Sequence, residues 1–137
     1  MRVKSFANKL GTTADTIRYY TRIGYLSPSI NAGNGYKVYS NGDEARMRFI
    51  LSARQLGFSV DDIGLMIREA QKGNSACPLV RELIITRLAE TEALFLDTNA
   101  LRKRMTKAIQ EWEAKPNRTP TGEMVCHLIE EFASTQT

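Results

Sequence analysis

Residues 12–29 read TTADTIRYYTRIGYLSPS, and this stretch decides the fold. Threonine is a good N-cap residue, so Thr12 or Thr13 can begin a helix here. The helix runs to about Ile23, and Gly24 and Pro28 end it. The stretch therefore predicts one short helix with a defined start and a defined end.

A second short helix precedes this one. Its apolar residues follow the i, i+3, i+4, i+7 spacing of an amphipathic helix, and they are Val3, Phe6, Ala7 and Leu10. Gly11 supplies its stop. Two short helices joined by a tight turn form a helix-turn-helix.

A small hairpin is predicted next. Residues 31–35, NAGNG, are a turn signal, and the alternation from Tyr36 to Tyr39 suits a short strand. Asn34 and Gly35 can form the turn of the hairpin. A helix-turn-helix followed by a hairpin is a winged helix.

Two more helices follow the hairpin. One begins near Gly42 and ends at Gly57, and its predicted buried face is Phe49, Ile50, Ala53 and Leu56. Ser59 caps the other, with Asp61 and Asp62 in its first turn. The predicted core face of this helix is Val60, Ile63, Ile67 and Ala70.

The character of the chain changes at Pro78, which suits the first position of a helix. From there to about Glu113 the sequence has neither glycine nor proline. Such a helix is about 54 Å long and needs a partner. Alternating three- and four-residue steps predict a seam made of Val80, Ile84, Leu94, Leu101, Met105, Ala108 and Trp112. The same register includes Arg87, Thr91 and Thr98, so the seam is imperfect. It indicates a two-helix dimer, antiparallel or parallel; packing within one monomer is the alternative.

Charge is distributed unevenly along the chain. The net charge is +4, but residues 1–40 contain six basic residues and one acidic residue, whereas residues 75–137 contain eight and nine. A basic N-terminal part followed by a near-neutral remainder is typical of a module that binds a polyanion. A solvated basic face would give the same distribution of charged residues. No apolar run approaches the roughly 20 residues that span a membrane, and the N-terminus has no signal-peptide pattern. We expect a cytoplasmic protein without a membrane partner.

The candidate DNA contacts lie on the second helix and on the hairpin. The N-terminal half of that helix, the part of a recognition helix that enters the major groove, contributes Thr13, Thr16, Arg18 and Tyr19. The hairpin adds Tyr36 and Lys37. Arginine can bind a guanine edge or a phosphate, and tyrosine hydroxyls bind phosphate.

Residues 12–29, together with NGYKVYS at 34–40 and RMRFILSARQLGFSVDDI at 46–63, resemble the DNA-binding domain of MerR-type (mercury-resistance-regulator) transcription regulators. The resemblance covers about residues 1–70 without gaps. It implies a winged-helix homodimer joined by a long antiparallel coiled coil. It also implies that the bound effector makes the dimer distort promoter DNA to which RNA polymerase also binds. The regulator would act through this distortion and not by recruiting the polymerase. Arg18, Tyr19, Tyr36 and Lys37 match the DNA contacts of the family by position, and so does Arg54.

The expected fold is therefore mainly α-helical with a division into four parts. Residues 1–70 form the winged-helix DNA-binding domain and residues 71–76 a linker. Residues 77–114 form the dimerisation helix, and residues 115–137 form an effector-sensing loop and a short closing helix over residues 124–132.

The resemblance extends to a metal- and redox-sensing branch of the family, because about 60 residues follow the linker. Cys77 stands where divalent-metal sensors carry a cysteine, and Cys126 matches the second cysteine of their metal-binding loop. The first loop cysteine is missing, and Trp112 falls near its place. The remaining ligand candidates are Cys77, Cys126 and His127, with Glu123 as an added oxygen ligand. Such a set suits zinc, cadmium or mercury.

Other functions remain open at this point. The two thiols can form a redox or electrophile sensor, or they can be a helix cap and a small buried side chain. An architectural DNA-binding protein without an effector is a further alternative. An enzyme is not expected, since the chain has one histidine and no glycine-rich phosphate loop.

Overall fold

The computed structural model describes residues 1–135, and it contains two units, one of residues 1–88 and one that begins at Ala89. The described chain is mainly helical. Its elements are α1 (Val3–Leu10), α2 (Ala14–Arg22), β1 (Ser29–Ile30), β2 (Lys37–Val38), α3 (Asn41–Gln55), α4 (Val60–Gln71), α5 (Cys77–Trp112) and α6 (His127–Thr135).

Helices α1 and α2 form the predicted helix-turn-helix. Gly11 ends α1 with a φ of 69°, a left-handed conformation that glycine adopts without strain. Thr13 is the cap of α2, because its side-chain oxygen accepts a hydrogen bond from the Thr16 N–H at 3.1 Å. The cap and the glycine fix both sides of the turn.

The wing is a hairpin with a wider turn than the predicted Asn34–Gly35 pair. Strands β1 and β2 are antiparallel and pair Ser29 with Val38. The last hydrogen bond runs from the Asn31 N–H to the Tyr36 carbonyl at 2.8 Å, which leaves residues 32–35 as a four-residue loop. The side chain of Asn31 accepts the Gly33 N–H and that of Asn34 accepts the Tyr36 N–H, so two backbone donors of the turn are satisfied locally.

The wing is fastened to the helices at its base. The Tyr39 ring is buried and stacks on Phe6, with 4.7 Å between ring centroids. The hydroxyls of Tyr39 and Thr21 lie 2.8 Å apart in a hydrogen bond. The Tyr39 N–H also donates to the Met1 carbonyl at 2.7 Å, which places the start of the chain beside the wing.

The core of the first unit lies between α1, α2, α3 and α4. Its most completely buried side chains are Phe6, Ile17, Met47, Ile50, Ile63 and Met66. The predicted buried face of α3 is wrong at Phe49 and Leu56, which are both exposed. At 100° per residue these two lie about 100–120° around the helix from Ile50, whereas Met47 lies closer and takes the core position.

On α4, Ala70 is likewise exposed and Met66 is buried in its place.

Buried aspartates cap α3 and α4. Asp43 completes a capping box with Ser40, and its other carboxylate oxygen accepts the Ser27 N–H at 2.9 Å. Asp43 therefore joins the chain after α2 to the start of α3. Asp62 completes a second capping box with Ser59, the predicted cap of α4.

Helix α5 begins at Cys77, so Pro78 is its second residue and not the predicted first. Its first turns pack against the core of the first unit through Leu79, Val80, Leu83 and Ile84. Arg87 then forms an ion pair with buried Asp62, with 3.1 Å between Nε and Oδ2. The predicted seam residues at this end of α5 therefore contact their own chain.

In the second unit, α6 packs on the end of α5. The Trp112 indole N–H donates to the Leu128 carbonyl at 3.2 Å, and its ring meets Phe132 edge-on. Ala108 is buried. The closing helix begins at His127, three residues after its predicted start, and the Met124 N–H donates to the Thr121 carbonyl in the turn before it.

The segment that follows α2 meets α4 at a glycine. The Tyr25 hydroxyl donates to the Val60 carbonyl at 2.8 Å, and this places it over buried Gly64. A Cβ atom added at Gly64 would overlap the Tyr25 hydroxyl oxygen. The space at Gly64 is thus needed for the hydrogen bond.

We expect Gly64→Ala to lower the free energy of unfolding by about 1–3 kcal/mol, the usual cost of overpacking, despite the better helix propensity of alanine. Thermal or urea denaturation measures the change. Gly42→Ala is the matched control, because a Cβ there meets only the Ser40 Oγ at 3.6 Å. If both variants are as stable as the parent, Tyr25 does not hold this packing.

Candidate nucleic-acid interface

The exposed face of α2 presents the predicted contact residues. Thr13 and Thr16 share a hydrogen bond of 2.8 Å between their hydroxyls. The Arg18 guanidinium lies 3.0 Å from the Asp15 carboxylate, with both side chains largely exposed. An exposed ion pair of this kind contributes less than about 1 kcal/mol, so Arg18 can exchange Asp15 for an anionic ligand.

Tyr19 sits beside other aromatic and basic groups on the same helix. Its ring contacts buried Tyr20 edge-on, with centroids 5.0 Å apart, and the Arg22 guanidinium lies 5.6 Å from the Tyr19 centroid. The ring is held in place while the side chain remains partly exposed.

A cleft of about 610 Å³ separates α1 from the wing. Its lining residues are Arg2, Val3, Lys4, Ser5, Arg18, Gly35, Tyr36, Lys37 and Tyr39. Four of them are basic, and the lining that the structure describes includes no carboxylate. Arg18 of α2 and the wing residues Tyr36 and Lys37 therefore border one positively charged surface, as an interface with a polyanion requires.

Sequence reasoning missed two members of this cleft, Arg2 and Lys4. The Arg2 guanidinium carbon lies 4.0 Å from the centroid of the Tyr36 ring, a cation–π contact. Both residues contribute to the basic charge of the N-terminal part of the chain. Nothing local in the sequence indicates that the start of α1 lies against the wing.

Arg54 lies outside the cleft lining. Its guanidinium donates to the Phe58 carbonyl at 2.8 Å, beyond the end of α3. Burial raises the pKa of Tyr20 above its usual value, and the positive charge of Arg54 partly opposes this rise. The structure thus gives Arg54 a local partner at the end of its own helix.

The two cysteines are free thiols at the starts of two helices. Cys77 is exposed and is the first residue of α5, where its backbone N–H donates to the Ser75 Oγ at 3.2 Å. Cys126 is half-buried just before α6, and its N–H donates to the Glu130 carboxylate at 3.0 Å. Each thiol therefore has some access to solvent.

His127, the third predicted ligand, is only 3% exposed. Its Nε2 lies 2.9 Å from the Pro116 carbonyl oxygen, and its Nδ1 lies 3.7 Å from a Glu131 carboxylate oxygen. A hydrogen bond from Lys115 is the main cause that lowers the pKa of Glu131. His127 thereby joins the loop after α5 to α6.

Within residues 1–135, no group of three or more histidine, cysteine, aspartate and glutamate side chains is arranged to hold a metal ion. Glu123 is exposed on the loop before α6. The described helices also include none that is long and apolar enough to cross a bilayer.

A winged helix with a basic cleft between its recognition helix, its wing and its first helix defines a DNA-binding protein of the winged helix-turn-helix class. The chain belongs to the MerR family. Family models described as "MerR HTH family regulatory protein" and "MerR, DNA binding" match residues 1–70 and 44–108. Proteins of this family are DNA-binding transcriptional regulators and not enzymes.

Curated relatives and solved structures agree with this assignment. The chain is 30% identical to the HTH-type transcriptional regulator HmrR of Rhizobium leguminosarum bv. viciae, over 97% of this chain and 98% of the relative. It is 27% identical to the heavy metal-dependent transcription regulator 2 of Rhizobium meliloti (strain 1021), over 98% and 87%. The transcription regulator PbrR691 of Ralstonia metallidurans CH34, solved in complex with lead(II), shares the fold with a TM-score of 0.72 at 18% identity, over 96% and 98%.

We expect Arg18→Ala to weaken binding to the operator by about 1–3 kcal/mol, the range for a specific contact. Lys37→Ala should weaken binding to all duplexes alike and flatten the salt dependence, because it removes a phosphate contact. Fluorescence anisotropy with operator and unrelated duplexes distinguishes the two effects. Unchanged operator affinity in Arg18→Ala would remove Arg18 from the set of contacts.

Proposed function

We propose that this DNA-binding regulator acts as a homodimer on promoter DNA that it shares with RNA polymerase, and that a thiophilic metal ion is its effector. In this proposal residues 1–70 bind DNA, and Thr13, Thr16, Arg18, Tyr19, Tyr36, Lys37 and Arg54 supply contacts. The metal changes the dimer, and the dimer changes the twist of the promoter spacer.

The observation that carries the proposal is the position of Cys77. It is the exposed first residue of α5, and the next turns of this helix pack on the winged-helix core. The ion pair between Arg87 and Asp62 adds a polar link between α5 and α4. An ion bound at Cys77 would therefore act on a helix that is packed directly against the DNA-binding elements.

The chemistry of the site favours soft metals. A thiolate ligand at Cys77 would lie at a helix N-terminus, whose N–H groups stabilise negative charge, and the first turn of α5 has no acidic residue. Two thiolates, Cys77 and Cys126, suit mercury, and thiolate with imidazole suits zinc or cadmium. His127 would add a nitrogen only through Nδ1, because Nε2 is engaged by the Pro116 carbonyl.

The names of two similar proteins support a metal effector in general. One relative is called a heavy metal-dependent regulator, and one structural neighbour holds lead(II). Because the first loop cysteine is missing, this chain lacks the third thiolate of a three-thiolate metal site. A thiol redox or electrophile sensor is the alternative. The solvent access of both free thiols supports this alternative as much as it supports metal binding.

The middle of α5 supplies the surface for a second copy. Leu94, Leu101 and Met105 are 65%, 43% and 56% exposed, and they share one stripe of the helix. Ile84, Ala108 and Trp112, at the two ends of the predicted seam, already contact their own chain. We propose that the dimer seam centres on Leu94, Leu101 and Met105. An antiparallel pair would bring Cys77 of one protomer near Cys126 of the other.

We expect Leu101→Asp to give monomers in sedimentation equilibrium, because an unpaired charge in an apolar seam costs several kcal/mol. Lys103→Asp is the matched control, since it puts the same residue about 160° away around the helix and should leave the dimer intact. A Leu101→Asp protein that remains fully dimeric would move the seam to another face of α5.

Metal binding is tested by titrating the reduced protein with zinc, cadmium and mercury, in wild type, Cys77→Ser and Cys126→Ser. We expect two equivalent sites per dimer in wild type and loss of binding in both variants, because each site needs a thiolate from each position. Retained binding in either variant would show that the two thiols do not share a site.

The same proteins then test activation. We expect metal-dependent transcription from the promoter in wild type and a flat response in both serine variants. Activation by oxidant in metal-free protein would favour the redox alternative. Binding to the promoter with no change in DNA twist under either condition would favour an architectural protein without an effector.

A further inference from the structure

We propose that Arg2 binds a DNA backbone phosphate and that Tyr36 is the platform that positions it. The inference rests on the DNA-binding role of the family and assigns a contact outside the predicted set. It also replaces the direct DNA contact proposed above for Tyr36 with a positioning role, in which the Tyr36 ring acts through Arg2.

The first argument is the placement of Arg2. Its backbone is held beside the wing because the adjoining Met1 carbonyl accepts the Tyr39 N–H at 2.7 Å. Its guanidinium then lies over the Tyr36 ring, with 4.0 Å from the guanidinium carbon to the centroid. The ring is 54% exposed, so the stack stands at the surface and not in the core. Stacking limits the rotamers of Arg2 before any ligand binds, which lowers the entropy lost on binding.

The second argument is the charge of the cleft. Arg2, Lys4, Arg18 and Lys37 come from α1 or its cap, from α2 and from the wing, yet they line one cleft of about 610 Å³. Like charges that are held close together repel each other unless an anion neutralises them. Among the residues that the structure describes, Asp15 is the one carboxylate that pairs with a basic residue of this cleft, and its partner is Arg18. The Arg2 side of the cleft is therefore left to an external anion.

The third argument is the shape of the site. The cleft opens beside the recognition helix and the wing, which are the two elements that a winged helix applies to adjacent parts of a duplex. A planar guanidinium that stacks with one face can still donate its edge N–H groups to phosphate oxygens in a bidentate contact. The backbone phosphate between the two protein elements is the group that fits this geometry.

The experiment measures the affinity of the full-length chain for a duplex of unrelated sequence as a function of salt. For Arg2→Ala we expect the magnitude of the negative slope of log K against log salt to decrease by about 0.9 for each bound protomer. This decrease corresponds to an about 8-fold loss of affinity at 0.1 M salt. Arg2→Lys, which keeps the charge, should keep the slope. Lys9→Gln is the matched control on α1, since Lys9 pairs with Glu44 at 3.0 Å, and it should keep both slope and affinity.

The role of Tyr36 is tested in the same assay. Tyr36→Ala should lower the affinity by about 2- to 5-fold, the strength of an exposed cation–π contact, and Tyr36→Phe should restore most of this loss. In the Arg2→Ala background, Tyr36→Ala should have no further effect, because the platform then has nothing to hold. An equal loss from Tyr36→Ala in both backgrounds, or a loss in Tyr36→Phe as large as in Tyr36→Ala, would show that Tyr36 contacts DNA by itself.

An unchanged salt slope in Arg2→Ala, with wild-type binding intact, would overturn the assignment of Arg2 and leave the DNA-binding function standing. A wild-type chain that binds no duplex at any salt concentration would instead overturn the function itself. Circular dichroism of each variant checks that the fold is retained.

Discussion

The buried carboxylate of Asp62 is the group on which the order of the first unit depends. It accepts the Ser59 N–H at 3.0 Å and so begins α4, and it pairs with Arg87 on α5 at 3.1 Å. A buried charge is costly unless it is paired and hydrogen-bonded, and here the Ser59 N–H and the Arg87 guanidinium both lie against the same carboxylate oxygen, Oδ2. A single side chain therefore links the start of α4 to the first turns of α5.

Local signals in the sequence predicted the helical elements well. Thr13 and Ser59 cap their helices, and Gly11 ends α1, because capping and left-handed φ values depend on neighbouring residues only. The mainly α winged-helix fold and the family assignment followed from such signals and from the motifs of residues 12–63. The sequence did not predict the four-residue turn of the wing. This turn is stabilised by hydrogen bonds in which the side chains of Asn31 and Asn34 accept backbone N–H groups.

The parts that could not be predicted depend on tertiary packing. Periodicity cannot decide which of several apolar stripes of a helix faces inward, so Phe49 was placed in the core and Met66 was not. It also cannot separate a contact with the chain's own core from a contact with a second copy, as the ends of α5 demonstrate. The stack of Arg2 on Tyr36 joins residues that are distant in sequence and leaves no local signal.

The wing contains two residues in each strand, and an isolated hairpin of this size has little stability of its own. Its base is nevertheless fixed, because Tyr39 is held by a ring stack and by hydrogen bonds. The free energy of local opening should therefore rise steeply from the tip to the base, and amide hydrogen exchange would follow the same gradient. A wing of this kind can adjust its tip to grooves of different width while the helices beneath it keep their positions.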